Sequence, residues 1–319
     1  MVHGELAVAL RMHTPNLRTV TPEFRPPQTK TFPIDHRVEL CRRLHDYALE
    51  ALGGAKDGDR PGEKMIVSNW ARATGTFDSV LRLAADSYGD QVTMLSRSLF
   101  EVMLDCYWIS IKPLEAQRLA TLHHYHQQLL ITPAWNEHEL LPGDPELRVT
   151  AEALKARDET TRLFGAHGQK HWTTLDMWRR ILAVDQAVPQ DEPGQLKARY
   201  QIGNQMANVV MHGSGTAIND RVGADQIVAP GVLKTTVVVG PTTTYLTEGL
   251  RHAFWSYQRI CVLVASRRAP EAVDKFDAIY ARAWPKLRTV TVPALKRAGR
   301  NGPCPCGSSE KTKDCHGAL

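Results

Sequence analysis

Three cysteines and a histidine close the chain in the stretch RNGPCPCGSSEKTKDCHG, residues 300–317. One residue separates Cys304 from Cys306, eight lie between Cys306 and Cys315, and His316 follows directly. Three thiolates and one imidazole make a complete tetrahedral set for zinc with no open position, the pattern of a structural site. Pro303 and Pro305 stiffen the first ligand pair, while Gly307 and Gly317 free the backbone beyond each pair. So short a segment cannot bury a core, and its folding free energy must come from the metal.

Two further constellations interrupt otherwise apolar patterns. Arg97 and Glu101 stand one helical turn apart on the same side of a helix. If that helix is buried, both charges need partners, because an unpaired buried charge is very costly. Tyr200, Asn204, Asn208 and His212 are spaced by four in YQIGNQMANVVMHGSG and wind slowly as a polar stripe. His212 falls at the helix end, just before Gly213. The C-terminal end of the helix dipole favours imidazolium there, which suits a general acid or a phosphate contact near neutral pH. The rival reading is a buried network in which these side chains satisfy one another and fix helix register. The HHYH run (His123, His124, Tyr125, His126) lacks a carboxylate at helical spacing before it and reads as a surface helix. Trp172 and Trp178 read as packing residues.

The elements that must position these groups are helical. Residues 1–34 hold Pro15, Pro22, Pro26, Pro27 and Pro33 with little periodicity, and read as a loosely ordered arm. From Asp35 the apolar positions of HRVELCRRLHDYALEAL recur at helical spacing. Further helices are expected over 66–87, 91–111, 114–130, 146–164, 172–184, 193–212, 242–267 and 270–283. The 91–111 segment is apolar nearly all round and belongs in the middle of a bundle. It is long enough to span a bilayer, but Arg97, Glu101 and Asp105 argue for a buried helix of a soluble protein instead. Residues 222–241 are β-branched and broken by Gly and Pro, which predicts a short hairpin or an extended loop. The expected organisation is an arm (1–34), an all-helical domain (35–284), a basic linker (285–298) and a zinc module (299–319). The fold class is all-α: a multi-helix bundle with a β-like or extended insertion near 222–241 and a C-terminal zinc knuckle.

Composition adds compartment and charge. The 319 residues contain six cysteines, of which Cys41, Cys106 and Cys261 are scattered singly in apolar patterns. Isolated thiols of that kind are small core residues, and the absence of a disulfide framework or signal segment points to the cytoplasm. The formal net charge is +5, yet from Arg251 onward there are 13 Lys/Arg against 5 Asp/Glu. A basic last quarter suits RNA, the ribosome or an acidic protein face, and nothing predicts a membrane partner.

The tail resembles the SEC-C motif, the small zinc module found at the C-terminus of the SecA translocation ATPase and at the end of many unrelated bacterial proteins. Gly299 through Ser308 and Cys315 through Gly317 fit that pattern; Gly302 departs from it, standing where an acidic residue is usual, as do Glu310 and Asp314 in a usually more basic stretch. The resemblance implies structural Zn2+ on Cys304, Cys306, Cys315 and His316, and a recruiting role, since the module of SecA docks the chaperone SecB and ribosomes. Without a Walker-type loop the chain is not itself a translocation ATPase. Residues 36–285 resemble an uncharacterised family of bacterial helical proteins with an Arg-x-x-x-Glu helix and a later helix ending in His. More loosely, ANVVMH resembles the Arg-Asn-x-x-x-His signature of HEPN ribonucleases, all-α toxins and defence proteins that act without metal, often across a homodimer interface. Asn208 and His212 match that signature, whereas Ala207 stands at the arginine position unless Arg97 reaches the site from a neighbouring helix. The two expectations are therefore a zinc-tailed protein recruited to ribosome, RNA or an acidic partner, and a ribonuclease using Arg97, Asn208, His212 and Glu101.

Overall fold

A helix with apolar side chains on every face must be covered on every face, and the computed structural model is organised around that demand. It describes residues 34–54, 60–138, 148–168, 170–187, 195–211, 226–229, 232–234, 243, 245–284, 297–303 and 311. The chain divides into two compact units, residues 32–285 and residues 1–31 with 286–319. The first unit is mostly helical: α1 (Ile34–Leu52), α2 (Glu63–Ala85), α3 (Gly89–Ile111), α4 (Pro113–His138), α5 (Ala151–Lys155), α6 (Arg157–Phe164), α7 (Met177–Ala187), α8 (Gln195–Met211), α9 (Leu246–Arg268) and α10 (Val273–Ala283). Between α8 and α9, β1 (Gln226–Ala229) and β2 (Val232–Lys234) pair antiparallel, Gln226 opposite Lys234, with a register irregularity between Ile227 and Ala229.

As its composition requires, α3 lies at the centre and packs against α2, α4, α7, α8 and α9. Val92, Leu99, Phe100, Met103, Leu104, Cys106, Trp108 and Ile109 are sealed from solvent. As enclosed as α3, α9 buries Leu250, Phe254, Tyr257, Ile260 and Cys261 against it and against α2. Phe77 of α2 stacks on Tyr257 with ring centroids 4.4 Å apart, and the Tyr257 hydroxyl lies 3.1 Å from Thr74 Oγ1, so a polar tip ends inside the core with a partner. Cys41, Cys106 and Cys261 are all free and buried, as isolated thiols in apolar patterns should be. Burial pushes the Cys261 thiol up to about 12, which leaves it protonated and inert at neutral pH.

Two expected helices are reshaped. The 146–164 segment splits at Ala156, whose ψ of 0° ends α5 and opens α6; Thr150 caps α5 by accepting from the Ala153 amide at 3.3 Å. The 172–184 segment becomes helical only at Met177, because residues 171–176 form a turn with Thr174 at φ 62°. Among the described residues no helix is long and apolar enough to cross a membrane.

Where α3 and α9 meet, there is no room for a side chain on Gly249. A Cβ there would lie 2.6 Å from Thr93 Oγ1 and 3.1 Å from Thr93 Cα. Backbone cannot yield as a flexible side chain can, so Gly249→Ala is expected to cost about 1–3 kcal/mol. Gly75, in the exposed middle of α2, has nothing within 4 Å of such a Cβ, and Gly75→Ala should instead stabilise by about 0.5–1 kcal/mol. Urea unfolding of the two variants decides it; equal effects would mean that the α3–α9 crossing is not the tight contact described.

Candidate functional site

Asp105, on the fifth turn of α3 and 6% exposed, places a carboxyl inside the bundle. Its Oδ1 accepts from Arg180 Nη1 at 2.8 Å, and its Oδ2 accepts from Trp172 Nε1 at 3.0 Å. Arg180, on α7, is itself 3% exposed. Burial holds the Asp105 carboxyl above its ordinary range, while Arg180 and Trp172 pull it back down. His171 stands beside this pair, Nε2 at 3.7 Å from Asp105 Oδ2 and Nδ1 at 3.0 Å from Thr173 Oγ1. Its imidazole is lowered to about 3, first by burial and then by the cations Arg180 and Arg72 and by His123. It is therefore neutral at physiological pH.

These groups form one wall of a 770 Å3 cleft between α2, α3, α4 and the 171–173 turn. From α2 come Lys64, Ser68, Arg72 and Thr76, spaced by four, with Asn69 beside them; from α3, Ser98, Glu101 and Asp105; from α4, His123. A spacing of four keeps side chains on one slowly turning stripe, so α2 presents its core face to α3 and α9 and a continuous polar stripe to the cleft.

The residues expected to act are in part brought together. Arg97 Nε donates to Glu101 Oε1 at 3.0 Å, and Arg97 Nη1 donates to Asn208 Oδ1 at 2.7 Å, across from α8. Arg97 and Glu101 sit about one-third exposed, at 29% and 34%, so the pair is a partly solvated one and not the fully buried pair that α3's composition suggested. Ala207 is completely buried, and it is Arg97, not a residue of α8, that reaches Asn208. Asn204 is buried with no partner for Oδ1 among the described residues, and Tyr200 packs on Phe100 at 6.3 Å. His212 and the four tail residues Cys304, Cys306, Cys315 and His316 lie outside the described residues. Among the described residues no group of three or more His, Cys, Asp or Glu could hold a metal. Near the tail, Gly299 takes φ 71° and Pro303 bridges antiparallel to Lys311. A side chain on Gly302 would collide with the Ala298 carbonyl, the local reason a glycine stands there.

Three expectations need correction. Trp172 is not merely packing, since its indole N–H satisfies Asp105. Trp178 is 37% exposed with Lys197 Nζ 5.2 Å from its ring centroid. The HHYH run is not a plain surface: His126 is 2% exposed against Phe164, and His123 faces the cleft.

Residues 63–227 match a protein family described as "Family of unknown function (DUF5677)". The chain belongs to this family. The matched stretch runs from α2 into β1 and so holds the whole cleft together with Arg97, Glu101 and Asn208, but it ends before α9. Short stretches are also similar to protein translocase subunits SecA. That of Anaeromyxobacter sp. is 44% identical over 62 residues, 18% of this chain and 6% of that protein. That of Parabacteroides distasonis is 58% identical over 33 residues, 10% and 3%. That of Acidobacterium capsulatum is 27% identical over 140 residues, 44% and 13%. The chain thus spans only a small fraction of the length of the SecA proteins it matches. No solved structure matches.

The buried titratable groups give two predictions. Asp105→Ala would strand the Arg180 guanidinium, so unfolding free energy should fall by about 3–5 kcal/mol; a loss under about 1 kcal/mol in urea titration would mean that water reaches Arg180 freely. The second concerns pH. His252 of α9 is 5% exposed, stacked on Phe100 at 5.2 Å, and lowered to about 3 by burial and then by Arg199. An imidazole whose folded value lies below its unfolded one, near 6.5, is kept neutral by the fold. The unfolded chain therefore takes the proton first as pH falls. The stability is fully present above about pH 6.5 and drains away toward pH 3, by about 2 kcal/mol already at pH 5. Comparing urea unfolding at pH 7 and pH 5, His252→Leu should lose that share of the pH dependence.

Proposed function

We propose that the protein is a cytoplasmic recruitment factor: a helical body carried to the ribosome, an RNA or an acidic protein face by a zinc-bound C-terminal knuckle and the basic region before it. The observation that carries this reading is the donor set itself. Cys304, Cys306, Cys315 and His316 supply three thiolates and an imidazole, which suit a closed tetrahedral zinc site, and when bound the metal supplies fold and not chemistry. The short likeness to SecA proteins supports it, as does the basic last quarter, where Lys and Arg outnumber Asp and Glu by 13 to 5 from Arg251 onward.

A second reading, a HEPN-like ribonuclease, is favoured by one contact: the 2.7 Å hydrogen bond from Arg97 to Asn208. An arginine supplied by α3 would replace the one missing at Ala207, stabilising a phosphate while Asn208 orients it and His212 handles the proton.

One preparation tests both. The purified full chain should carry one zinc per molecule by elemental analysis and sediment with ribosomes at low salt; Cys304→Ser/Cys306→Ser should lose both. Sedimentation unchanged in the double variant would overturn the recruiting role of the knuckle. If the body is a ribonuclease, transfer or ribosomal RNA is cut by the parent protein and left intact by His212→Ala and by Arg97→Ala. RNA left intact by the parent over a range of protein concentrations removes that reading for these substrates.

A further inference from the structure

Apart from Glu101, the cleft between α2 and α4 is used by neither reading, and its chemistry is specific. Four ionised groups line it, but they are not equivalent. Glu101 is neutralised from behind by Arg97, and Asp105 by Arg180, neither of which lines the cleft. Lys64 and Arg72, both exposed to the cleft, make no ion pair or side-chain hydrogen bond among the described residues. The net field inside is therefore positive. The depressed imidazole of His171, held neutral partly by Arg180 and Arg72, is what such a field produces.

The neutral lining is rich in donors and flat rings. Ser68 and Thr76 lie on the same stripe as the two cations, Asn69 and Ser98 face them, and His123, His171 and Trp172 supply the aromatic side. Eight residues of helix put about 12 Å between the Lys64 and Arg72 backbones, with Ser68 midway. That span suits an elongated anion met at both ends, and a planar guanidinium suits phosphate oxygens best. A volume of 770 Å3 falls within the range of about 300–1,000 Å3 for small-molecule sites.

We propose that this cleft binds a small phosphorylated ligand of nucleoside mono- or diphosphate size, with Arg72 and Lys64 holding the phosphates and the His171–Trp172 turn taking the planar group. The site is independent of the tail, and its test does not depend on the recruitment or ribonuclease readings.

The full chain would be titrated with AMP, ADP, GMP and inorganic pyrophosphate, followed by calorimetry and by thermal unfolding. Expected are a rise in Tm with at least one nucleotide, binding that weakens as salt increases, and a loss of affinity of about tenfold or more in Arg72→Gln and in Lys64→Gln. Arg82→Gln, on α2 but paired with Asp78 outside the cleft, should bind like the parent. Because Lys64 and Arg72 are exposed, both variants should melt like the unliganded parent; if Arg72→Gln does not fold, Lys64→Gln carries the comparison. No stabilisation by any of the four probes at millimolar concentration overturns the proposal. So does binding that both variants leave unchanged, or binding confined to RNA oligonucleotides.

Discussion

The carboxylate of Asp105 is the constraint on which the rest of the body depends. A charge on the central helix of a bundle is tolerated only if the bundle supplies its counter-charge at the same depth. Arg180 does so from α7 and Trp172 from the turn before it, which fixes both the rotation of α3 and the path of residues 171–180. The turn then carries His171 to the cleft rim. One satisfied carboxylate thus couples the register of the core helix to the shape of the cavity beside it. A second buried pair, Arg268 Nε with Glu63 Oε1 at 2.9 Å, ties the end of α9 to the start of α2, so the two helices that enclose α3 are themselves clasped at one end.

Local pattern carried much of this architecture. The absence of a polar face on 91–111 placed that helix at the centre, and the four-residue spacing of Arg97 and Glu101 announced their pairing. What escaped was non-local or ambiguous. Nothing near Asp105 names Arg180, which is 75 positions away, and nothing in AEALKARDETTRLF marks the break at Ala156. Trp172 sits at core spacing, so its indole N–H gave no hint of a buried acceptor. The stripe Lys64, Ser68, Arg72, Thr76 was visible, but a polar face opposite a core face ordinarily meets solvent. Only the position of α4 and the 171–173 turn makes it a cavity wall. The Arg97–Asn208 contact was foreseeable as an option, because Ala207 left the signature without its cation.

Family membership and structural completeness do not coincide. The family segment holds the polar features, while α9 and α10, outside it, supply much of the apolar cover: Phe254, Tyr257, Ile260 and Phe276 are all fully enclosed. Gln258 Nε2 donates to Asp277 Oδ1 at 2.5 Å, joining the two covering helices to each other. Variation in α9 and α10 would act on the cleft through the fit of α3 and α2.

The distance along the chain between α3 and its principal cover has a consequence for biosynthesis. Residues are made in order, and α9 ends at Arg268 whereas α3 ends at Ile111. At about 5–20 residues per second, on the order of ten to thirty seconds pass between completion of the two helices. Through that interval α4, α7 and α8 are made and can join α2 on their flanks of α3, but the flank that Phe254 and Tyr257 will occupy stays open. The vulnerable species in the life of this protein is the unfinished one, tethered to the ribosome.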